Sequence, residues 1–206
     1  MGSRLGRARK IRYWRHRILY VICYLILAPL FALYCPRLVG FRTISQLLSL
    51  IPGLGGMWLR RAWYRATLTH CGDNVYISFL SAIRTAKSSL GSDIDIGPGC
   101  WLGWVDVGDG VMFGGYNVVL SGTKQHGFSR TDVPMRLQEG QPIQVRIGRD
   151  VWVGSGAIIG ADIAEGCLIG AGSVVVKPTE PYTIVAGVPG RVIRHRGASA
   201  RRNAVD

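Results

Sequence analysis

Apolar and polar positions alternate along this chain with a period that neither an α-helix nor a long strand produces. From Leu90 onward, an apolar residue followed by glycine recurs as Leu90-Gly91, Ile96-Gly97, Leu102-Gly103, Val107-Gly108 and Phe113-Gly114. After a gap it resumes as Ile147-Gly148, Val153-Gly154, Ile159-Gly160 and Ile169-Gly170. Most steps are six residues; those from Leu102 to Val107 and from Ile159 to Ile163 are shorter. One buried side chain every six residues predicts a very short strand, a corner and another short strand. Three such sides make a triangular coil of about eighteen residues, and stacked coils make a parallel β-helix that buries each apolar edge on its neighbours. A smaller residue four positions after the apolar one is expected to face inward as well: Cys100, Val151, Ala157 and Ser173. The predicted fold class is mainly β, with glycines that let the backbone turn and stack without a clashing Cβ.

The first third follows a different pattern. Residues 18–35 carry no charge, and eighteen helical residues reach about 27 Å, near the hydrocarbon thickness of a bilayer. Arg4, Arg7, Arg9, Lys10, Arg12, Arg15 and Arg17 precede this stretch, and Tyr13, Trp14, Tyr20 and Tyr34 flank it like an aromatic belt. A cleaved signal peptide fits poorly, because no small-residue cleavage site follows. A buried core helix fits poorly too, since the β-helix already buries its own core. Pro29 can kink the segment. A second apolar stretch over residues 44–59 has helical spacing at Ile44, Leu47, Leu48 and Ile51, and contains the breaker Pro52-Gly53. With Arg37, Arg42, Arg60, Arg61 and Arg65 also basic, a re-entrant hairpin or in-plane amphipathic anchor with both ends cytoplasmic is favoured over a true span. Trp58, Trp63 and Tyr64 would then sit at the membrane interface.

Charge sharpens this division. The net charge is +13, yet residues 1–70 hold twelve Arg or Lys and no acid, while residues 71–206 hold thirteen basic and twelve acidic residues. The basic residues bracket apolar sequence rather than polar or aromatic readers of bases, which argues against nucleic acid. An anionic membrane surface on the cytoplasmic face of the inner membrane is the expected partner of residues 1–70. The five cysteines, Cys23, Cys35, Cys71, Cys100 and Cys167, show no metal-ligand or redox spacing.

The repeat stops after Val119 and resumes at Ile147, leaving a polar arm over residues 121–144 that contains His126. The other histidines, His16, His70 and His195, fall outside the coils on this reading. Long loops on rigid scaffolds carry function.

Residues 71–193 resemble the hexapeptide-repeat acyltransferase family. The resemblance is carried by IGRDVWVGSGAII at residues 147–159, IGAGSVV at 169–175 and PYTIVAGVPGRVI at 181–193. The last phrase is similar to the ending of sugar and serine O-acetyltransferases. The resemblance implies a left-handed parallel β-helix and a homotrimer; with the helical, membrane-associated N-terminal segment read above, three regions are expected (1–70, 71–193 and a basic tail 194–206). It implies acetyl-CoA as co-substrate, held near Trp152, Gly154, Gly156 and Ala157, with Arg191 and Arg194 toward its phosphates. It also places a catalytic histidine in the arm, at the position of His126. Asp132 and Asp106 are candidates for the carboxylate that orients it. The expected reaction is direct transfer of acetyl to a sugar hydroxyl in polysaccharide or lipid-linked glycan synthesis. Imidazole acts as general base, with no metal. Alternatives are N-acetyl transfer to an amino sugar or a non-catalytic β-helix scaffold. A zinc carbonic anhydrase on this fold would need about three protein ligands, and one arm histidine does not supply them.

Overall fold

The computed structural model describes the backbone of residues 2–197 and the side chains of residues 18–197. The chain begins with three helices, α1 (Gly2–Tyr34), α2 (Phe41–Ser49) and α3 (Gly53–Thr67). It then winds into three-sided coils of short parallel strands.

One side is the sheet of β1 (His70–Cys71), β4 (Ser89–Leu90), β7 (Val105–Val107) and β10 (Val145–Ile147). The second contains β2 (Tyr76–Ile77), β5 (Asp95–Ile96), β8 (Met112–Phe113), β11 (Trp152–Val153), β13 (Leu168–Ile169), β15 (Thr183–Ala186) and β16 (Arg191–His195). The third contains β3 (Ala82–Ile83), β6 (Trp101–Leu102), β9 (Val118–Val119), β12 (Ile158–Ile159) and β14 (Val174–Val175). The pairs are parallel, except for the antiparallel β15–β16 hairpin that ends the stack.

The six-residue beat becomes three interior columns. Leu90, Val107, Ile147 and Ile163 line the first side; Ile77, Ile96, Phe113, Val153, Ile169 and Val185 the second; Ile83, Leu102, Val119, Ile159 and Val175 the third. All are buried. The small positions Cys100, Val151, Ala157 and Ser173 are buried beside them, as the spacing predicts. Ser81 and Asn117, four residues after Ile77 and Phe113, occupy equivalent buried positions and are hydrogen-bonded. Ser81 Oγ donates to Gly97 O at 2.6 Å, and Asn117 Oδ1 accepts from the Ala157 N–H at 2.8 Å. The short step from Ile159 to Ile163 reduces the first side of that coil to one bridge, Ile147 with Ile163. There the Asp162 carboxylate accepts from the Arg146 N–H at 2.8 Å.

Several expectations for the first third are corrected. Helix α1 runs unbroken through Pro29, so there is no hairpin at that point. One face of it is a core face after all: Cys23 and Leu27 are buried, and Tyr20, Tyr24, Leu30, Phe31 and Tyr34 pack against the same core. A stack of coils cannot cover its own first turn, and a polar or packed cap must close it. Helices α2 and α3 do so against β2 and β3. Trp63 and Tyr64 are fully buried rather than interfacial. The Trp63 indole N–H donates to Ser45 Oγ at 3.2 Å, and Tyr64 Oη accepts from the Ile83 N–H at 3.0 Å. Tyr34 meets Trp63 edge-on at 5.1 Å, and Tyr20 meets Trp58 edge-on at 5.6 Å, so these tyrosines are packing groups. Arg60 is buried and donates to Leu48 O, Ile51 O and Ile77 O at 2.9, 2.7 and 2.9 Å, which ties both helices to the first coil. Arg61 is buried among the rings of Tyr20, Trp58 and Tyr76. Neither is available to a lipid surface. The side chains of Arg4 through Arg17, including Tyr13 and Trp14, lie outside the described residues. Among the described residues, no helix is long and apolar enough to cross a membrane.

At the other end, Arg194 and His195 complete β16 instead of starting a tail. Arg196 donates to Asp150 Oδ2 at 2.9 Å and Gly166 O at 2.7 Å, latching the hairpin to earlier coils. His70 likewise lies on a strand, β1. Residues 198–206 lie outside the described residues.

Candidate active site

The arm leaves the stack between β9 and β10, at the corner joining the third and first sheets. It doubles back on itself as a stalk. The Gln141 N–H donates to Lys124 O at 2.7 Å, and the Ile143 N–H to Ser121 O at 3.0 Å. Gly127 and Gly140 make the close approach possible. A Cβ on Gly140 would fall 2.7 Å from His126 N and nearer still to Gln125 O. Further out, the Gln138 amide donates to Arg130 O at 2.7 Å and Val133 O at 2.8 Å, around a 3₁₀ turn at Met135–Leu137. The arm is therefore an internally bonded strut, and His126 sits on its inner limb.

His126 lines two clefts. On the coil side, a cleft of about 390 Å³ is lined by Arg84, Thr85, Lys87, Trp104, Ser121, Gln125, His126 and Pro142. On the arm side, about 230 Å³ lies between His126, Phe128, Glu139 and their neighbours. The imidazole is exposed to both. The coil-side cleft is built from stacked corners of one kind. Residues 84–87 connect β3 to β4, Trp104 connects β6 to β7, and the arm connects β9 to β10. Ser121 holds two of them together, accepting from the Trp104 N–H at 3.0 Å. The Trp104 indole N–H donates to Lys87 O at 3.2 Å, fixing the ring as one wall.

Nothing in the six-residue repeat itself marks Arg84, Lys87, Trp104 or Gln125 as neighbours of His126. A signal was present: Arg84 and Lys87 are the only Arg or Lys residues between Cys71 and Leu120, and the step from Ile83 to Leu90 is one residue longer than the repeat.

The other candidates divide by location. Asp132 is bound to the Arg130 guanidinium (Nε to Oδ1 3.0 Å), which holds its carboxyl below the usual carboxylate range, and it lines neither cleft beside His126. Asp106 is on the outer face of β7, in register with Ser89 and Arg146. Trp152 lies on the second sheet, 52% exposed. The second sheet faces away from the corner that bears His126, so one copy of the chain does not bring the two together. Trp152 does share a row with Leu168, Ile184 and Arg194, each in register with the next. Three strand spacings of about 4.8 Å separate indole from guanidinium along that row. Arg191 is exposed on the same hairpin. Gly154 faces the next coil, where a Cβ would meet Ala171 N at 2.5 Å; Gly156 is a left-handed corner (φ +72°). The Ala157 side chain points into the prism and is fully buried. These three serve the stack first, and only their backbone can face a ligand. Among the described residues, no three His, Cys, Asp or Glu side chains are grouped to hold a metal ion.

No family model matches the chain. Curated relatives do. The chain is 36% identical over 119 residues to the galactoside O-acetyltransferase of Escherichia coli (strain K12), covering 52% of this chain and 56% of that protein. It is 32% identical over 146 residues to the serine acetyltransferase of Salmonella typhimurium (strain LT2), covering 69% and 49%. The chain thus spans about half the length of these relatives. Among solved structures, a hexapeptide-repeat-containing acetyltransferase of Vibrio cholerae O1 biovar eltor, complexed with acetyl coenzyme A, superposes with a TM-score of 0.59. That match covers 75% of this chain and 86% of that one at 22% identity. In sequence the chain is thus similar to acetyltransferases of sugars and serine, and it shares its β-solenoid fold with a solved hexapeptide-repeat acetyltransferase.

Proposed function

We propose that the chain is an acetyl-CoA-dependent O-acetyltransferase that modifies a sugar hydroxyl, with His126 as general base. The observation that carries this reading is an exposed imidazole, held on a bonded strut, that lines two clefts. A neutral imidazole removes the hydroxyl proton as the oxygen attacks the thioester carbonyl. The new C–O bond forms and the C–S bond breaks. The proton then passes from the imidazolium to the departing thiolate of the coenzyme, so no covalent enzyme intermediate is needed. The buried thiols fit this role division: Cys100 is pushed up by burial, away from nucleophilic ionisation.

The acetyl donor is assigned to the row of Trp152, Leu168, Ile184 and Arg194, where an apolar floor runs between an indole and a guanidinium. Because that row and His126 occupy opposite parts of one prism, a working site needs the corner of one copy against the second sheet of another. Such a heterologous contact closes into a ring, and a homotrimer is the proposed assembly. Exposed Tyr76, Met112 and Trp152 on the second sheet supply apolar surface for it.

The proposed location is the cytoplasmic face of the inner membrane, near a lipid-linked glycan. Helix α1 presents Ile18, Val21, Ile22, Leu25, Ile26 and Leu33 on the side opposite its packed face, all exposed. With the basic leader before it and no acid in residues 1–70, this suits an in-plane helix on anionic lipid. Cosedimentation with phosphatidylglycerol vesicles, lost in a Leu25→Glu, Ile26→Glu variant, is the expected result. Equal pelleting of the variant refutes the anchor.

The reaction is tested by thiol release from acetyl-CoA with membrane extracts as acceptor. His126→Ala is expected to lose about 10²–10⁴-fold in turnover while the coils stay folded. Label released by mild alkali identifies an ester; alkali-stable label identifies an amide. Turnover unaffected by His126→Ala rejects the assignment.

A further inference from the structure

The coil-side cleft at His126 has a charge of one sign. Arg84 and Lys87 line it, and no carboxylate does. Both cations are exposed, and neither belongs to an ion pair among the described residues. Three other cations of the coils and their flanks are paired, Arg149 with Glu165, Arg196 with Asp150 and Arg65 with Asp73; what sets Arg84 and Lys87 apart is that they converge on one cleft. Arg84 reaches only the neutral amide oxygen of Gln125, at a long 3.4 Å. Lys87 Nζ lies 5.8 Å from the centroid of the Trp104 ring, whose orientation is fixed by its own hydrogen bond to Lys87 O. Five aspartates fall between Cys71 and Leu120, and none lines this cleft, so the local charge is not an average of the surface.

We propose that the acceptor is a sugar bearing an oxyanion group, which Arg84 and Lys87 hold while its ring lies beside Trp104 and offers a hydroxyl to His126. This rests on the acetyl-transfer reading and adds the substrate class. A guanidinium and an ammonium at one mouth match a phosphate or carboxylate through charge-assisted hydrogen bonds, and an indole face suits the apolar side of a pyranose. A neutral sugar would leave both cations without an anionic partner. The coenzyme on a neighbouring copy's row is the competing owner of these charges; that row carries its own cation, Arg194, and the acetyl-CoA affinity of the cation variants separates the two owners.

The test uses full-length protein and three probes: glucose 1-phosphate, glucuronic acid and methyl glucoside. Binding is measured by titration without coenzyme, and acetyl-CoA binding separately. Wild type is expected to bind at least one charged sugar tenfold or more tighter than methyl glucoside, and the tighter of the two names the oxyanion. Arg84→Ala and Lys87→Ala should each remove most of that preference and leave acetyl-CoA affinity unchanged. Circular dichroism checks that these surface variants fold. His126→Ala should keep the preference. Equal binding of charged and neutral sugars by wild type overturns the proposal. So does loss of acetyl-CoA affinity, in place of sugar affinity, in the two cation variants. A protein that fails to bind acetyl-CoA at all defeats the acetyl-transfer reading, while the sugar titrations still decide the cleft.

Discussion

Val153 and Trp63 are both fully buried, for different reasons. Val153 is interior because of its place in a six-residue step; any aliphatic residue there meets Phe113 and Ile169 in the adjoining coils. Trp63 is interior because two other helices converge on it: Phe31 and Tyr34 of α1 and Phe41 of α2 surround its ring within 5.9 Å, and Ser45 of α2 takes its N–H. The coils are a periodic object whose interior can be read locally. The helices form a cap whose interior exists only after docking. Apolar residues in such a cap resemble membrane sequence until the surface they cover is known.

The largest test of this contrast is Trp63→Ala. A cavity under the cap should cost about 3–5 kcal/mol. It should lower the urea midpoint for loss of helix signal before the coils unfold, and a single unshifted transition would reject a separable cap. Next is the arm. Gly140→Ala forces the outer limb off Gln125 and His126. A displacement near 1 Å should reduce turnover about 10²-fold with little change in the thermal midpoint of the coils.

Within the coils, two glycines should separate. Gly154→Ala places a Cβ 2.5 Å from the backbone nitrogen of Ala171 and should cost about 3 kcal/mol, the upper end for overpacking. Gly156→Ala has free space and only a left-handed φ to bear, about 1 kcal/mol. Urea titration of both checks the order. Thiol chemistry gives a further contrast. Burial pushes Cys71 up to about 11, and Cys23 and Cys100 are raised by the same cause, while Cys35 is exposed. Iodoacetamide at neutral pH should label Cys35 first and the others only in denaturant, read by mass spectrometry.

The smallest effect is the ion pair of Arg65 on α3 with Asp73 at the first corner, 2.7 Å long and largely exposed. Hydrogen bonding to Arg65 holds the Asp73 carboxyl below its ordinary value. Its contribution is present above the ordinary carboxylate pKa and fades as pH falls through the lowered one. Asp73→Asn should cost under about 1 kcal/mol at pH 7 and nothing in strong acid.

The repeat, the interior columns, the shortened step at Ile163 and the arm carrying His126 were legible because each is a local spacing. The burial of Trp63, Tyr64 and Arg60 and the packing of Tyr20 and Tyr34 against them were not, because hydrophobic content does not say whether lipid or protein will cover it. The cleft residues Arg84, Lys87 and Trp104 were also missed: they come from successive corners 17 or more residues apart and meet only when the coils stack. The chain alone determined that it coils with three short strands per turn, since a hexapeptide period sets strand and corner spacing locally. Only the tertiary structure decided which charges share a wall with His126 and that Trp152 lies across the prism from it, because those facts depend on which corner of the triangle each residue reaches.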